Sequence, residues 1–240
     1  RQEIESIKVP LPKKSFVKMD WNCEISLKSS LKGIDTIIHT AGIPAKSCTE
    51  SPTEALKTNG VNTSKLIDIA IENQVKRFIY ISTIHVYKNP LTGNINESSP
   101  TINLHPYATS KIAGEKAVLY AKQKGLIQGI VLRLSNGCGN PILAEVNCWH
   151  LIINDLCKQA VEKKEIILNS ESYREINLIS MSNVCLGIEH FIKLPKKHLD
   201  NSIFNICSNK SITLKQIVNL VSERCKIVLD YEPKKLFINK

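Results

Sequence analysis

The sequence of 240 residues lacks the patterns that mark several common protein classes. No apolar run approaches the roughly 20 residues that a bilayer-spanning helix needs, so no membrane partner is expected. The first residues, RQEIE, have no apolar stretch of the kind that a signal peptide carries. The eight cysteines are scattered singly and form no CxxC, so no metal site and no thioredoxin-type motif is predicted. These absences predict a cytoplasmic protein.

Acidic residues are also few: 22 stand against 32 basic residues, which gives a formal net charge of +10. The basic residues fall as separated pairs without interleaved aromatic residues, so a nucleic-acid partner is not expected. We expect instead a solvated basic surface whose field attracts a small substrate that carries phosphate. The pairs are Lys13–Lys14, Lys163–Lys164, Lys196–Lys197 and Lys234–Lys235.

Short apolar runs rich in β-branched residues alternate along the chain with longer runs of helical periodicity. Near-continuous apolar strands that alternate with helices predict an α/β fold whose parallel sheet is covered on both faces. The predicted strands are 15–19, 36–39, 77–82 and 128–132. The predicted helices are 26–31, 52–73, 107–124 and 146–161.

Small or polar residues follow three successive predicted strands. They are Thr40–Ala41–Gly42, Ser82–Thr83 and the segment 133–136. Ligands of open α/β sheets bind at the carboxyl ends of the strands, and small residues let a flat ligand approach the backbone. The three strand ends therefore predict a cofactor cleft.

Tyr107 and Lys111 lie one helical turn apart and share a face of their predicted helix. A nearby ammonium group favours the phenolate, so we expect Lys111 to lower the pKa of Tyr107 and make it a general acid and base. The hydroxyl of Thr83 is expected to hydrogen-bond the same substrate oxygen. Tyr120 and Tyr231 also have Lys four residues later, but neither follows a strand-end hydroxyl in this way.

Several segments in order resemble the extended short-chain dehydrogenase/reductase family, the NAD-dependent epimerase/dehydratase group. They are DTIIHTAG at 35–42, ISTIHVY at 81–87, PYATSKIAGE at 106–115 and RLSNGCGNP at 133–141. The resemblance implies a Rossmann-type doubly wound parallel sheet, a bound NAD or NADP, and a nucleotide-sugar substrate. It assigns 1–135 to the cofactor-binding domain and 136–240 mainly to a smaller substrate-binding region, with about 175–192 packing back on the Rossmann part.

The resemblance also implies roles for individual residues. The catalytic residues would be Thr83, Tyr107 and Lys111. The cofactor-binding residues would be Asp20, Trp21, His39, Thr40, Ala41, Gly42, Asn59, Ile81, Ser82, Tyr107, Lys111, Leu134 and Ser135. The substrate-binding residues would be Thr83, His85, Asn136, Asn147 and Arg174. A homodimer is expected through helices 52–73 and 107–124.

The sequence departs from the family pattern at several points. The first glycine is Gly33 and no GxGxxG occurs, so we expect an inactive fragment that lacks the first strand-helix-strand of the fold and also stops early at Lys240. Lys88 stands where a glycine is usual. The segment REINLISMSNV at 174–184 matches its family counterpart imperfectly, which weakens the role expected of Arg174.

The residues between Thr83 and Tyr87 bear on the type of reaction. Dehydratases of this family resemble one another in having a Glu there as the base, whereas this chain has Ile84–His85. We therefore expect an NAD(P)-dependent epimerase or reductase that works through a keto intermediate, and a 4,6-dehydratase is the less expected outcome. The alternative is a non-catalytic nucleotide- or RNA-binding member of the same fold.

Overall fold

A computed structural model describes residues 16–141, 146 and 148–238 of the chain. These residues divide into two compact units. The larger unit comprises the described residues up to Ser135 together with Leu186–Ile206. The smaller unit comprises the described parts of Asn136–Cys185 and of the chain from Cys207 onward. The functional division of the chain into a cofactor part and a substrate part stays a prediction.

The secondary structure alternates between strands and helices. The strands of the described residues are β1 (Thr36–His39), β2 (Arg77–Thr83), β3 (Gln128–Leu134), β4 (Asn136–Cys138), β5 (Glu165–Leu168), β6 (Glu175–Ser180), β7 (Ile203–Ile206), β8 (Ser211–Thr213) and β9 (Lys234–Phe237). The α-helices are α1 (Glu24–Ser30), α2 (Ala45–Glu50), α3 (Pro52–Ala55), α4 (Asn62–Glu72), α5 (Pro106–Gln123), α6 (Ile152–Lys163), α7 (Met181–Lys193) and α8 (Leu214–Leu229). A π-helical turn over Leu56–Val61 joins α3 to α4, and Ile84–Val86 forms a 3-10 turn.

The larger unit is built on a four-stranded parallel sheet with the order β1-β2-β3-β7. Successive residues of β2 enter different cores: Phe78 and Tyr80 pack with Leu66 of α4, whereas Ile79 packs with Phe191 of α7. This alternation confirms the predicted parallel sheet with helices on both faces. Because all four strands run the same way, their carboxyl ends meet at one edge, where Thr40, Thr83 and Ser135 lie.

Two sequence-based predictions of secondary structure are wrong: one concerns a strand and the other concerns the start of a helix. Phe16–Met19 forms no strand, and β1 is the edge of the described sheet, so no described strand lies beside the segment to hydrogen-bond it. The helix expected from residue 146 begins at Ile152. Leu151 before it has an extended backbone with ψ 133°, and its N–H bonds the Cys148 carbonyl in a turn.

The smaller unit has its own core. A three-stranded sheet has the order β4-β6-β8, and β5 pairs with β9 in parallel. Leu156 of α6, Ile166 of β5 and Ile217 of α8 pack in one apolar cluster. The segment expected to return to the Rossmann part, 175–192, is divided between the units, because β6 pairs with β4 and β8 while the residues from Leu186 belong to the larger unit.

The helices of the described residues are all too short or too polar to cross a membrane.

Candidate active site

The end of β2 and the start of α5 bring Thr83 and Tyr107 together. Thr83 is buried, and its hydroxyl oxygen accepts a hydrogen bond from the His85 backbone N–H at 3.2 Å, which caps the 3-10 turn. The same side chain hydrogen-bonds the phenol of Tyr107. The bond lowers the pKa of Tyr107, so the Thr83 hydroxyl is the donor and the phenol oxygen is the acceptor.

Lys111 lies one turn after Tyr107, and α5 buries it against the sheet. Its Nζ donates a hydrogen bond to the Ile81 carbonyl oxygen at 2.7 Å and lies 4.6 Å from the ring centroid of Tyr80. Burial lowers the pKa of Lys111 from 10.5 to about 8, and the charges of Glu115 and Cys48 oppose that shift. The amine is therefore held in place but loses protons far more readily than an exposed lysine.

The pKa of Tyr107 differs from the sequence-based expectation. Burial raises it above the ordinary value, and the hydrogen bond from Thr83 opposes that rise. The expected lowering of this pKa by Lys111 is not found. In this structure it is Thr83, not Lys111, that favours the phenolate.

Asn59, in the π-helical turn, joins three segments of the site. Its side-chain N–H₂ donates to the Ser110 hydroxyl at 3.0 Å, and its side-chain oxygen accepts from the Ile43 N–H at 3.2 Å. Ser110 precedes Lys111 in α5, and Ile43 follows the strand-end residue Gly42. A side chain at Gly42 would place its Cβ 2.9 Å from the Asn59 side-chain oxygen, so this close approach requires glycine.

His39 closes the site on the side of β1. Its Nε2 lies 3.0 Å from the Thr63 hydroxyl, and its ring stacks on Tyr80 with centroids 5.7 Å apart. Burial, and secondarily the charge of Lys111, lowers the pKa of His39 to about 4, so the imidazole is neutral at physiological pH. The ring of Trp21 lies 6.1 Å from the His39 ring, and the Asp20 carboxylate accepts from the Asn22 N–H at 2.9 Å.

Other predicted cofactor residues lie at the same edge of the sheet. Thr40, Ala41 and Gly42 are exposed directly after β1. Leu134 is the last residue of β3, and Ser135 follows it. The Ser135 hydroxyl oxygen is buried and has no hydrogen-bond partner among the described residues. A buried hydroxyl without a partner is costly, so it marks a point where a ligand or a water is expected to bind.

The structure does not test all of the predicted substrate residues. Asn147 lies outside the described residues. Asn136 and Arg174 belong to the smaller unit. The Asn136 side chain donates to the Asn177 carbonyl at 2.9 Å, and Arg174 is exposed. The described residues contain no group of three or more His, Cys, Asp or Glu arranged to hold a metal ion.

Sequence reasoning missed a buried ion pair beneath the site. The Glu115 carboxylate accepts from the Ser82 hydroxyl at 2.5 Å, from Arg133 Nε at 3.0 Å and from Arg133 Nη2 at 2.6 Å. The guanidinium lies 4.7 Å from the ring centroid of Tyr87. The sequence did place Glu115 one turn after Lys111 and Ser82 directly before Thr83, which indicates that both lie near the site. It gave no indication of the ion pair, because the partner Arg133 comes from another strand.

Sequence reasoning also missed His105, which precedes α5. Its ring Nδ1 accepts a hydrogen bond from the Tyr107 N–H at 3.1 Å, so His105 is the N-cap of the helix. Pro106 follows it at the first helical position, where a missing N–H does no harm. The sequence indicated an N-cap at this position, because His105 stands directly before Pro106 at the start of the predicted helix. Ser, Thr, Asp or Asn is the usual residue at an N-cap, so a histidine was not considered.

The sequence and the fold of the chain are similar to those of known proteins. The chain is 26% identical to a UDP-glucose 4-epimerase of Halalkalibacterium halodurans over 203 residues, which is 78% of this chain and 60% of that protein. It is 27% identical to the human dTDP-D-glucose 4,6-dehydratase over 169 residues, which is 69% of this chain and 46% of that protein. The chain thus spans about half to two thirds of the length of these relatives.

A solved structure shares the fold. It is a UDP-glucuronic acid 4-epimerase from Bacillus cereus in complex with UDP-glucuronic acid and NAD, with a TM-score of 0.75 and 21% identity, and the match covers 89% of this chain and 65% of that one. The family model described as NAD dependent epimerase/dehydratase matches residues 2–207. Since that match spans most of the chain, the protein belongs to the NAD-dependent epimerase/dehydratase family.

Proposed function

We propose that the whole protein acts as an NAD(P)-dependent epimerase or reductase on a nucleotide-activated sugar, with Thr83, Tyr107 and Lys111 as its catalytic residues. The observation that supports this most directly is the pairing of two hydroxyls, Thr83 and Tyr107, beside a buried amine. A hydroxyl that donates to a phenol and an amine of lowered pKa are the components of proton transfer at a sugar alcohol. Family membership supports the same class of chemistry.

The described residues fit the nicotinamide and ribose end of a dinucleotide. The buried Ser135 hydroxyl lacks a partner among them, and exposed Thr40, Ala41 and Gly42 leave the backbone open after β1. Together with Lys111, these residues would hold the cofactor. When bound, the cofactor supplies an acceptor and donor of hydride.

The chain's own residues would handle the proton. As the phenolate, Tyr107 would take the proton from the sugar hydroxyl while that carbon gives up hydride to the bound cofactor, which would leave a keto sugar. It returns the proton when the keto group is reduced. Thr83 orients the phenol oxygen through its hydrogen bond, and Lys111 holds its charge beside the strand end. An epimerase lets the keto sugar turn over before reduction from the other face, whereas a reductase completes one transfer only.

The residues after Thr83 favour epimerisation or reduction over elimination of water. Ile84–Val86 forms the 3-10 turn there, and the sequence has no carboxylate between Thr83 and Tyr87. Elimination needs a base for the proton beside the ketone, and a carboxylate is the usual group for that task. Relatives of both kinds match this chain, so the family alone does not decide between the two reactions.

We propose further that the protein forms a homodimer through the surface of residues 52–73 and 107–124, which cover α3, the π-helical turn, α4 and most of α5. Apolar side chains are exposed on these segments: Leu56 is 48% exposed, Val61 62% and Tyr120 59%. Burial of such side chains against a second copy is favourable. Sedimentation equilibrium of the protein and of a Val61→Glu variant tests the interface, and an unchanged mass of the variant would contradict it.

The proposed chemistry is tested by incubating the whole protein with NAD and UDP- or dTDP-hexoses and following the sugar by NMR. An epimer, or a sugar oxidised or reduced at one carbon, is expected. A Thr83→Ala variant separates the role of the hydroxyl from binding, because it removes the donor to Tyr107 and leaves the strand in place. A Thr83→Ala variant that turns over as fast as the parent protein would contradict the assigned site.

A further inference from the structure

His105 connects the first turn of α5 to α2 through both nitrogens of its ring. Nδ1 accepts from the Tyr107 N–H at 3.1 Å, and Nε2 lies 3.1 Å from the Thr49 hydroxyl. The Thr49 hydroxyl itself donates to the Ala45 carbonyl at 3.2 Å. Its proton is therefore committed, and its oxygen is left to accept from His105.

These partners admit a single protonation state of the ring. Nδ1 must carry no proton, since it faces a backbone N–H, and Nε2 must carry one, since it faces an oxygen whose own proton is used. A second proton, on Nδ1, would set two donors against each other and break the cap. It would also place a positive charge at the positive end of the helix dipole.

The segment before His105 is tied to the catalytic strand end as well. The Asn103 side-chain oxygen accepts from the His105 N–H at 3.0 Å, and its N–H₂ donates to the His85 carbonyl at 2.7 Å. His85 lies in the turn that Thr83 caps. The cap of α5 and the position of Thr83 therefore belong to one connected set of hydrogen bonds.

We propose that His105 is a positioning residue for Tyr107 and holds the phenol against Thr83 only while its imidazole is neutral. The proposal rests on the proposed role of Tyr107 as the proton carrier. Protonation of His105 releases the Tyr107 N–H, loosens the first turn of α5 and separates the phenol from Thr83.

Other titratable groups lie on the elements that surround His105. They are Lys46 and Glu50 on α2, His85 in the 3-10 turn, and Tyr107 and Lys111 on α5. Lys46 and Glu50 are both exposed and opposite in charge, so their effects on His105 offset each other in part. His85 is the other histidine among these groups. The test therefore needs a variant that keeps His85 and removes only the titration of the cap.

Two variants of His105 provide this comparison. His105→Ser keeps an oxygen that accepts from the helix N–H but cannot gain a proton, whereas His105→Ala has no cap. Hydrogen exchange of the Tyr107 amide, corrected for the intrinsic effect of pH, reports the cap directly. In the parent protein we expect slow exchange at pH 7.5 and exchange faster by about fivefold or more at pH 5. His105→Ser should stay slow at both values, and His105→Ala should be fast at both.

Nitrogen-15 spectra of the imidazole complete the test, because they distinguish the two neutral tautomers and give the titration midpoint of His105. A neutral ring with its proton on Nδ1, or a Tyr107 amide whose protection is unchanged as His105 titrates, would overturn the proposal. So would equal protection in His105→Ala and the parent. The amide of Val118, deep in α5, should stay protected throughout and shows that the variants are folded. None of these measurements needs turnover, so they remain valid if the proposed function fails.

Discussion

The Lys111 ammonium donates a hydrogen bond to the Ile81 carbonyl oxygen at 2.7 Å, which ties α5 to the end of β2 thirty residues earlier. The bond fixes the amine at the carboxyl edge of the sheet, between Tyr107 and the strand that ends in Thr83. The amine has a pKa of about 8 because it is buried, so its charge at neutral pH lowers the stability of the folded protein.

We expect Lys111→Met to be more stable than the parent protein at neutral pH. In the unfolded chain the amine keeps its ordinary pKa of 10.5, whereas in the folded protein it is about 8. Between these values the unfolded chain binds more protons, so the stability of the parent rises with pH across that window. Below pH 8 the folded protein bears the full cost of a buried charge. The variant should therefore gain about 1 to 3 kcal/mol at pH 7.

Urea unfolding at pH 7 and at pH 10 measures this difference. The advantage of Lys111→Met should shrink as the pH rises, because the parent amine is then neutral in the folded state. Lys116→Met on the exposed face of α5 is the matched control, and we expect its stability to differ little from that of the parent at pH 7. A Lys111→Met variant that is less stable at both values would show that the hydrogen bond to Ile81 outweighs the burial of the charge.

In the whole protein, Tyr107→Phe should lower turnover by about 10²-fold or more while leaving the fold intact, because it removes only the proposed proton carrier. Tyr120→Phe is the matched control within the same helix. Its ring is 59% exposed and contacts the ammonium of Lys124, four residues later. Steady-state kinetics of the two variants decides the assignment. Equal activity of the two would mean that Tyr107 is not the reactive tyrosine.

Local sequence patterns predicted much of the larger unit. Apolar runs gave β1, β2 and β3 within two residues of their bounds, and helical periodicity gave 52–73, within which the structure has a π-helical turn at Leu56–Val61. The spacing of Tyr107 and Lys111 predicted their shared helix face, because helical geometry alone determines which residues are neighbours there. These features depend on residues close together in the chain.

The features that sequence reasoning missed depend on distant residues. A strand over 16–19 needs a neighbouring strand, and none is described beside it. The pKa of Tyr107 depends on the burial of its phenol and on the hydrogen bond with Thr83, which comes from another element. The cap by His105 depends in the same way on Thr49 of α2. Such contacts follow from packing and leave no periodic pattern in the sequence.

The buried pair of Glu115 and Arg133 should be essential for stability as a pair. Both side chains are at most 4% exposed, so removal of one leaves an uncompensated buried charge. We expect Arg133→Met to lower the free energy of unfolding by about 3 to 5 kcal/mol. The double variant Glu115→Leu with Arg133→Met should recover a large part of that loss, since no charge remains buried.

Urea unfolding of the two single variants and the double variant measures the coupling between the side chains. The exposed pair of Lys193 and Glu189 is the control, and its removal should change stability far less than Arg133→Met does. If the losses of Glu115→Leu and Arg133→Met simply add in the double variant, the pair is not coupled and the geometry of the buried network has been misread.

The reaction product gives the last prediction. With Ile84 and His85 after Thr83, the strand end has no carboxylate to remove the proton beside a ketone. Hydride transfer with proton transfer through Tyr107 needs no such base. The whole protein, given NAD and nucleotide sugars, should therefore yield an epimer or a sugar changed at one carbon, and not a 4-keto-6-deoxy product.

Proton NMR of the product in deuterated water distinguishes these outcomes. Direct return of hydride never exposes the neighbouring carbon to solvent, so deuterium should be absent from that position. A methyl doublet that arises from a 6-hydroxyl substrate would show elimination of water and would contradict the prediction. In that case His85→Gln becomes the decisive variant, because His85 is the titratable side chain nearest in sequence to Thr83. Loss of the methyl product in His85→Gln, with Tyr107 unchanged, would identify the imidazole as the base.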